Sequence, residues 1–395
     1  MQILIYLTSS FFLALCISLY AVPIVVRVSH SLRFMDNPNE RSAAELPIPT
    51  LGGISIFLSF VLASTWGLSG EPTPELVYII ISMLLMFFVG LKDDILSVSP
   101  RKKISAQFIT AGIIIFLAKI RFTNLHGFFG VGAIGIIPGT ILTFFVIIVI
   151  INAFNLMDGI DGLCAGLSML AASVFGGWFY VSGHFDYAIL SFSLVGGILG
   201  FFCYNVYGQK NRIFMGDTGS LVLGTILAVI VIQFNEFNID QTAPFSIASS
   251  PGISFGILIY PLIDTLRVFT IRLLQFKSPF VADKNHLHHR LLTLGFSHKK
   301  ATYTIMLMNF IFITLVFALR NYGVIWVMVF IFIFGSITFM VPAYFIQKGK
   351  LIRKNDRQQQ LLFPGSAYRH LQNRRKAITV VRRWSAIRAL KPQKI

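Results

Sequence analysis

Long apolar runs, separated by short polar or glycine-containing stretches, recur along the whole chain. Eleven of them read as membrane-crossing helices: 3–25, 51–69, 76–91, 104–118, 134–151, 163–181, 187–203, 221–235, 252–266, 302–319 and 323–346. Hydrocarbon about 30 Å thick asks for about 20 apolar residues as a helix. Several runs are shorter than that, so their boundaries can move by a few residues. The first run is too long to be a removed signal peptide, and it lacks a basic start and a small-residue cleavage site. No repeat of fixed period is visible. Only the loop 267–301 and the tail 347–395 look soluble. The pattern predicts an all-α, polytopic bundle of about eleven transmembrane helices over residues 1–346, followed by a basic tail over 347–395.

Composition agrees and removes other classes. Of 395 residues, 55% are hydrophobic and 12% charged, against about a quarter charged in soluble domains. A soluble enzyme, a disordered chain and a secreted disulfide scaffold are excluded. Cys16, Cys164 and Cys203 all fall in apolar runs without metal or disulfide spacing, and read as core thiols.

Charge sets the orientation. The net charge is +17, and from Lys348 onward 14 Lys/Arg face one acid, Asp356. Behind a hydrophobic body such a block points to the membrane face or anionic lipid, not to nucleic acid. With the N-terminus outside and the C-terminus in the cytoplasm, 30 of the 33 Lys/Arg are cytoplasmic; Lys119, Arg121 and Arg320 are the exceptions. In the tail, Ile378, Val381, Trp384 and Ile387 recur every third residue among arginines. This spacing suggests a basic amphipathic helix on anionic lipid, with a solvated tail as the plain alternative.

Under this orientation the acidic clusters share the cytoplasmic side. Asp93, Asp94, Asp158, Asp161, Asp217 and Asp264 all stand at ends of apolar runs. A carboxylate at bilayer depth costs at least about 2.5 kcal/mol, so six of them need a metal, cations or a charged ligand. In Asn152-Ala-Phe-Asn155-Leu-Met-Asp158-Gly-Ile-Asp161, four polar residues recur every third position and would line one face of a helical turn. An Asn/Asp-rich turn with helix caps is the bland alternative. Arg212-Ile-Phe-Met-Gly-Asp217-Thr218-Gly-Ser220 leads into a helix start suited to anions. There Asp217 would repel phosphate unless a divalent cation such as Mg²⁺ lay between them. Lys102 and Lys103, after Asp93-Asp94, could meet a phosphate or merely satisfy the positive-inside bias. His286-Leu-His288-His289-Arg290 suits phosphate better than zinc, because cations flank it and no cysteine accompanies it. Such a pocket fits phosphoryl transfer between a soluble donor and a lipid acceptor. A transporter or flippase with buried acids is the rival reading, though acids there stand typically near the midplane.

Five ordered motifs carry a resemblance: Met35-Asp-Asn-Pro-Asn-Glu-Arg41 leading to Leu51-Gly-Gly, Lys92-Asp-Asp, Asn155-Leu-Met-Asp-Gly-Ile-Asp-Gly-Leu163, Phe214-Met-Gly-Asp-Thr-Gly-Ser220 and Asp283-Lys-Asn-His-Leu-His-His289. Over roughly residues 30–300 the chain resembles the polyprenyl-phosphate N-acetylhexosamine-1-phosphate transferases. The interrupted His-Leu-His-His looks more like the undecaprenyl-phosphate N-acetylglucosamine-1-phosphate branch than the phospho-N-acetylmuramoyl-pentapeptide branch, which stays the alternative. Arg41-Ser-Ala-Ala44 departs from the pattern, since similar enzymes often carry a histidine there.

The resemblance implies UDP-N-acetylhexosamine as donor, undecaprenyl phosphate as acceptor and UMP as product, on the cytoplasmic face of a bacterial inner membrane. It implies Mg²⁺, or Mn²⁺ in its place, on Asp217 and Asp158. Asp93, Asp94, Asp158, Asp161, His286, His288 and His289 are the implied catalytic residues. Asn152, Asn155, Lys102, Lys103, Arg212, Thr218, Ser220 and Arg290 are the implied substrate-binding ones. Direct displacement and a covalent aspartyl route both stay open, as does a homodimer.

Overall fold

In a computed structural model the apolar runs become helices. The structure describes residues 2–32, 34–36, 48–68, 74–276 and 286–362. Among these residues are α1 (Gln2–Leu32), α2 (Gly53–Gly67), α3 (Pro74–Leu96), α4 (Pro100–Gly112), α5 (Ile136–Met157), α6 (Leu163–Val181) and α7 (Phe185–Tyr207). They are followed by α8 (Gly216–Phe237), α9 (Ser250–Ile257), α10 (Ile259–Leu274), α11 (Leu287–Thr293), α12 (His298–Ala318) and α13 (Val324–Leu362). One π-helical turn, Ile113–Leu117, extends α4. Two small antiparallel pairs complete the elements: β1 (Met35–Asp36) with β2 (Ile48–Pro49), and β3 (Asn124–Phe128) with β4 (Val131–Ala133). The chain divides into two units, Met1–Phe339 and Met340–Ile395, the second described only through the end of α13.

The fold is an all-α polytopic membrane protein. Eight helices among the described residues are long and apolar enough to cross: α1, α3, α5, α6, α7, α8, α12 and Val324–Ile346 of α13. The other three predicted crossings fall short by this measure. α2 has 15 residues between flanking glycines. α4 starts early, with Pro100 in its first turn and three cations behind it. The 252–266 run is split at Leu258 into α9 and α10.

Two prolines show how the bundle tolerates broken helical hydrogen bonding. Proline has no N–H, so it leaves the carbonyl four residues earlier without its donor. In α1, Pro23 frees the Leu19 carbonyl, and the Tyr204 hydroxyl from α7 donates to it at 3.2 Å. In α10, Pro261 frees the Ile257 carbonyl, and Asn309 Nδ2 from α12 donates at 3.2 Å. Neighbouring helices thus replace bonds that lipid cannot supply. The split in the ninth predicted crossing is stable for this reason.

α8 is buried along most of its length and packs against α2, α3, α5 and α6. Gly90 of α3 meets the start of α8 so closely that a Cβ would lie 2.5 Å from Thr218 Cα. That contact puts the end of α3 directly against the first turn of α8. The thiols correct the sequence reading: Cys164 is buried, but Cys16 and Cys203 are exposed on helix surfaces. An apolar run in a membrane helix has a lipid-facing side as well as a core side.

Candidate active site

Polar side chains gather where α3 and α5 end and α8 begins. Asp94, near the end of α3, accepts the backbone N–H of Asp217 (2.8 Å) and of Thr218 (2.9 Å), and the Thr218 hydroxyl (2.5 Å). The helix start that the sequence marked for an anion is therefore already capped by the chain's own Asp94 carboxyl. Asp93 accepts the Val98 N–H and pairs with Lys103, which pairs also with Asp217. Asn155 Nδ2 donates to Asp217 Oδ1 (2.8 Å) and to the Ser220 hydroxyl (3.0 Å). Thr218 and Ser220 are fully buried and bonded within the protein. Their hydroxyls hold the cluster together.

α5 ends at Met157, and the chain then leaves helical geometry at Asp158. The four-residue register therefore does not continue as one face. Asn152 turns to α4, exchanging hydrogen bonds with Gln107 at 2.7 and 3.3 Å. Asn155 faces Asp217. Asp161 is buried, pairs with Arg212, and lies 3.5 Å from His298 Nδ1. Its backbone carbonyl accepts the Thr302 hydroxyl at 2.6 Å. Asp158 is half-buried, and burial together with the charges of Asp217, Asp94 and Asp161 pushes its carboxyl up to about 8. A small cavity of about 100 Å³, lined by Lys103, Asn152 and Asn155, opens beside the cluster.

The histidines stand on α11, whose start is capped from α10. Asp264 accepts the Leu287 N–H at 3.2 Å and His286 Nδ1 at 2.9 Å, and also holds Arg267 (2.7 Å). His288 is buried with Nδ1 3.4 Å from the Tyr260 hydroxyl. Its ring lies so close to Gly159 that a Cβ there would overlap it. The histidine segment is therefore packed on the Asp158–Asp161 loop. Burial, reinforced by His289, lowers the His288 imidazole to about 3. It is neutral at ordinary pH, so any positive charge offered to phosphate by this segment comes from its flanking cations such as Arg290. His289 and Arg290 are half-buried on the same short helix, and Lys102 is exposed. Asp283, Lys284, Arg41 and the tail residues Ile378 to Ile387 lie outside the described residues.

The order and spacing of these groups have counterparts in known proteins. The profile of glycosyl transferase family 4 matches residues 76–235, which carry Asp93, Asp94, Asp158, Asp161 and Asp217. A Bacillus subtilis (strain 168) protein described as a probable undecaprenyl-phosphate N-acetylglucosaminyl 1-phosphate transferase is 32% identical over 342 residues, 85% of this chain and 91% of that protein. The chain belongs to glycosyl transferase family 4. The undecaprenyl-phosphate alpha-N-acetylglucosaminyl 1-phosphate transferase of Escherichia coli (strain K12) is 28% identical over 335 residues, 82% of this chain and 86% of that protein. The like-named protein of Yersinia pestis is 29% identical over the same length.

Several residues of this family member escaped the sequence reading. Gln107, His298, Thr302 and Tyr260 all support site residues, and none belongs to a motif the sequence singles out. Only helix phase, which places Gln107 four residues after Lys103 on the same face, would have marked one of them.

Proposed function

We propose that this protein transfers N-acetylglucosamine 1-phosphate from its UDP-linked form to undecaprenyl phosphate, releasing UMP. The observation that carries this reading is the cluster itself: Lys103 held by Asp93 and Asp217, Asp94 bonded to the Asp217 backbone, and Asp158 under the charges of Asp217 and Asp94, at the ends of apolar helices. That excess of negative charge favours a polyanionic substrate only in company with a cation. Among the described residues no three His, Cys, Asp or Glu side chains stand together as a complete metal cage. A site of one or two carboxylates, completed by substrate phosphate oxygens, is what Mg²⁺ takes. Asp217 and Asp158 are the residues that would hold it, Asp158 being the carboxylate whose ionisation lacks a compensating cation. When bound, the ion would supply charge neutralisation for the donor diphosphate.

The chain's own groups supply the rest. A phosphate ester has its second pKa near 6, so the acceptor phosphate is mostly ionised at neutral pH and needs little help from a base. An acceptor oxygen attacks the sugar-bearing phosphorus; the bond to UMP breaks, and UMP leaves with the electron pair. Asp93 and Asp217 hold the Lys103 ammonium where it can meet phosphate oxygens. Asp94 fixes the Asp217 backbone, and Asn155 orients the Asp217 carboxylate. Asp161 with Arg212, and His288 under Gly159, fix the loop that carries Asp158. The lysine and arginine distribution supports a cytoplasmic position for this end of the bundle.

The test is exchange of labelled UMP into UDP-N-acetylglucosamine by membranes containing the protein, polyprenyl phosphate and Mg²⁺. Exchange that requires both lipid and metal is expected. Its absence with this donor, or exchange that persists in Asp217→Ala, overturns the reading.

A further inference from the structure

The half of the bundle away from the aspartate cluster holds a cavity. It has a volume of about 410 Å³ and lies among α5, α8, the α9–α10 junction, the start of α13 and β3. Sites for small molecules commonly measure about 300–1,000 Å³ and combine apolar walls with a few placed polar groups. Phe122, Phe145, Val149, Phe255 and Met328 form much of the wall, and no lysine, arginine or carboxylate among the described residues lines it.

Two polar atoms of that wall, Asn235 Oδ1 and His126 Nε2, are buried without a hydrogen-bond partner among the described residues. Asn235 is 2% exposed. Its Nδ2 donates to the Val231 carbonyl (2.8 Å) and to the Ser254 hydroxyl (3.0 Å). Its Oδ1 is buried and has no hydrogen-bond partner among the described residues. A buried acceptor left so costs about 1–3 kcal/mol, so the wall is built to receive a donor. His126, also in the wall, has Nδ1 3.4 Å from the Ser250 hydroxyl. Burial holds its imidazole below the ordinary value, which keeps this end uncharged. Asn235 and Asp217 stand near opposite ends of α8. About 18 residues at about 1.5 Å each separate them by about 27 Å. A ligand on Asn235 would not reach the carboxylates.

We propose that this cavity binds a neutral, lipid-like molecule: a hydrocarbon chain bearing one hydrogen-bond donor, a hydroxyl or an amide N–H, that rests on Asn235 Oδ1. The uncharged wall offers nothing to a phosphate, so the occupant differs in kind from both substrates of the transfer.

The test uses the purified full chain in detergent with two photoactivatable probes, a long-chain alcohol and the matched alkane. The labelled peptides are read by mass spectrometry. The alcohol is expected to label segments 122–128, 142–150 and 251–262 about five- to tenfold more than the alkane, the worth of one hydrogen bond. Asn235→Leu should bring that ratio near one. Val149→Phe, which fills the cavity and leaves the amide in place, should reduce labelling by both probes. Equal labelling of the native chain would mean that Asn235 holds a bound water only, and overturns the proposal. So does labelling that survives Val149→Phe. Displacement of the alcohol by polyprenyl phosphate, but not by unphosphorylated polyprenol, would assign the cavity to the acceptor instead and equally overturn it.

Discussion

The end of α3 and the loop after α5 each bring an aspartate to the same cluster, and the two are held in opposite ways. Asp94 accepts three hydrogen bonds from the first turn of α8, two from backbone N–H groups and one from a hydroxyl. Asp158 has carboxylates as its charged surroundings and is pushed up to about 8. One carboxyl is tied into the architecture by the donors that bond to it; the other is costly in its charged form until something positive arrives. The difference separates acids that build the pocket from acids that await a ligand, a distinction that motif spacing alone does not contain.

The largest effect should come from Asp94→Ala. Two backbone donors and a buried hydroxyl lose their acceptor, and a buried polar group left unsatisfied costs about 1–3 kcal/mol. Both thermal stability in detergent and UMP release should fall steeply. Near-native values of both would remove Asp94 from its role. Gly159→Ala should come next, since a Cβ overlaps the buried His288 ring and forced overpacking costs about 1–3 kcal/mol. The melting temperature and turnover of the purified variant measure it; an unchanged melting temperature would mean that the ring yields.

Asp158→Asn sharpens the contrast, because it should separate the two readouts. Removing a charge crowded by Asp217, Asp94 and Asp161 should leave stability unchanged or raised by about 1 kcal/mol at pH 7–8. Turnover should drop by about a hundredfold or more, as for other groups that stabilise charge in a transition state. A variant that is both inactive and destabilised would place Asp158 with Asp94 among the pocket-building acids.

The smallest effect concerns pH. His288 has a folded value of about 3, well below the ordinary imidazole. Between about pH 6.5 and 3 the unfolded chain takes up a proton that the folded chain refuses. The stability it contributes is therefore complete above about pH 6.5 and is lost as pH falls, by up to about 1.4 kcal/mol per unit. His288→Gln should flatten the fall in melting temperature between pH 6.5 and 5. An unchanged slope would show that this imidazole is accessible to protons.

Much of this was legible from residue order. The apolar runs locate the helices; placement at run ends singles out Asp93, Asp94, Asp158 and Asp217, and the every-third register singles out Asn155. What the pattern could not show was which partner each acid would take, because those partners lie far along the chain. Asp94 and Thr218 are 124 positions apart, and Asp161 and Thr302 are 141 apart. Hydropathy was equally blind to the break at Leu258, since Leu258, Ile259 and Pro261 continue an apolar run. The bond that makes the break tolerable comes from Asn309, on another helix.

The occupied start of α8 has a consequence for salt. Enzymes that cradle a nucleotide on bare backbone amides keep their grip as counterions accumulate, because those amides are fixed and sheltered. Here the amides of Asp217 and Thr218 are spent on Asp94, so under the proposed transfer a diphosphate would have to be met by side-chain cations such as Lys103 and by ions from solution. Exposed charges are screened over about 10 Å at 0.1 M ionic strength. Donor capture should therefore weaken as potassium chloride rises, while the folded framework, whose capping carboxyl is covalently part of the chain, stays indifferent to it.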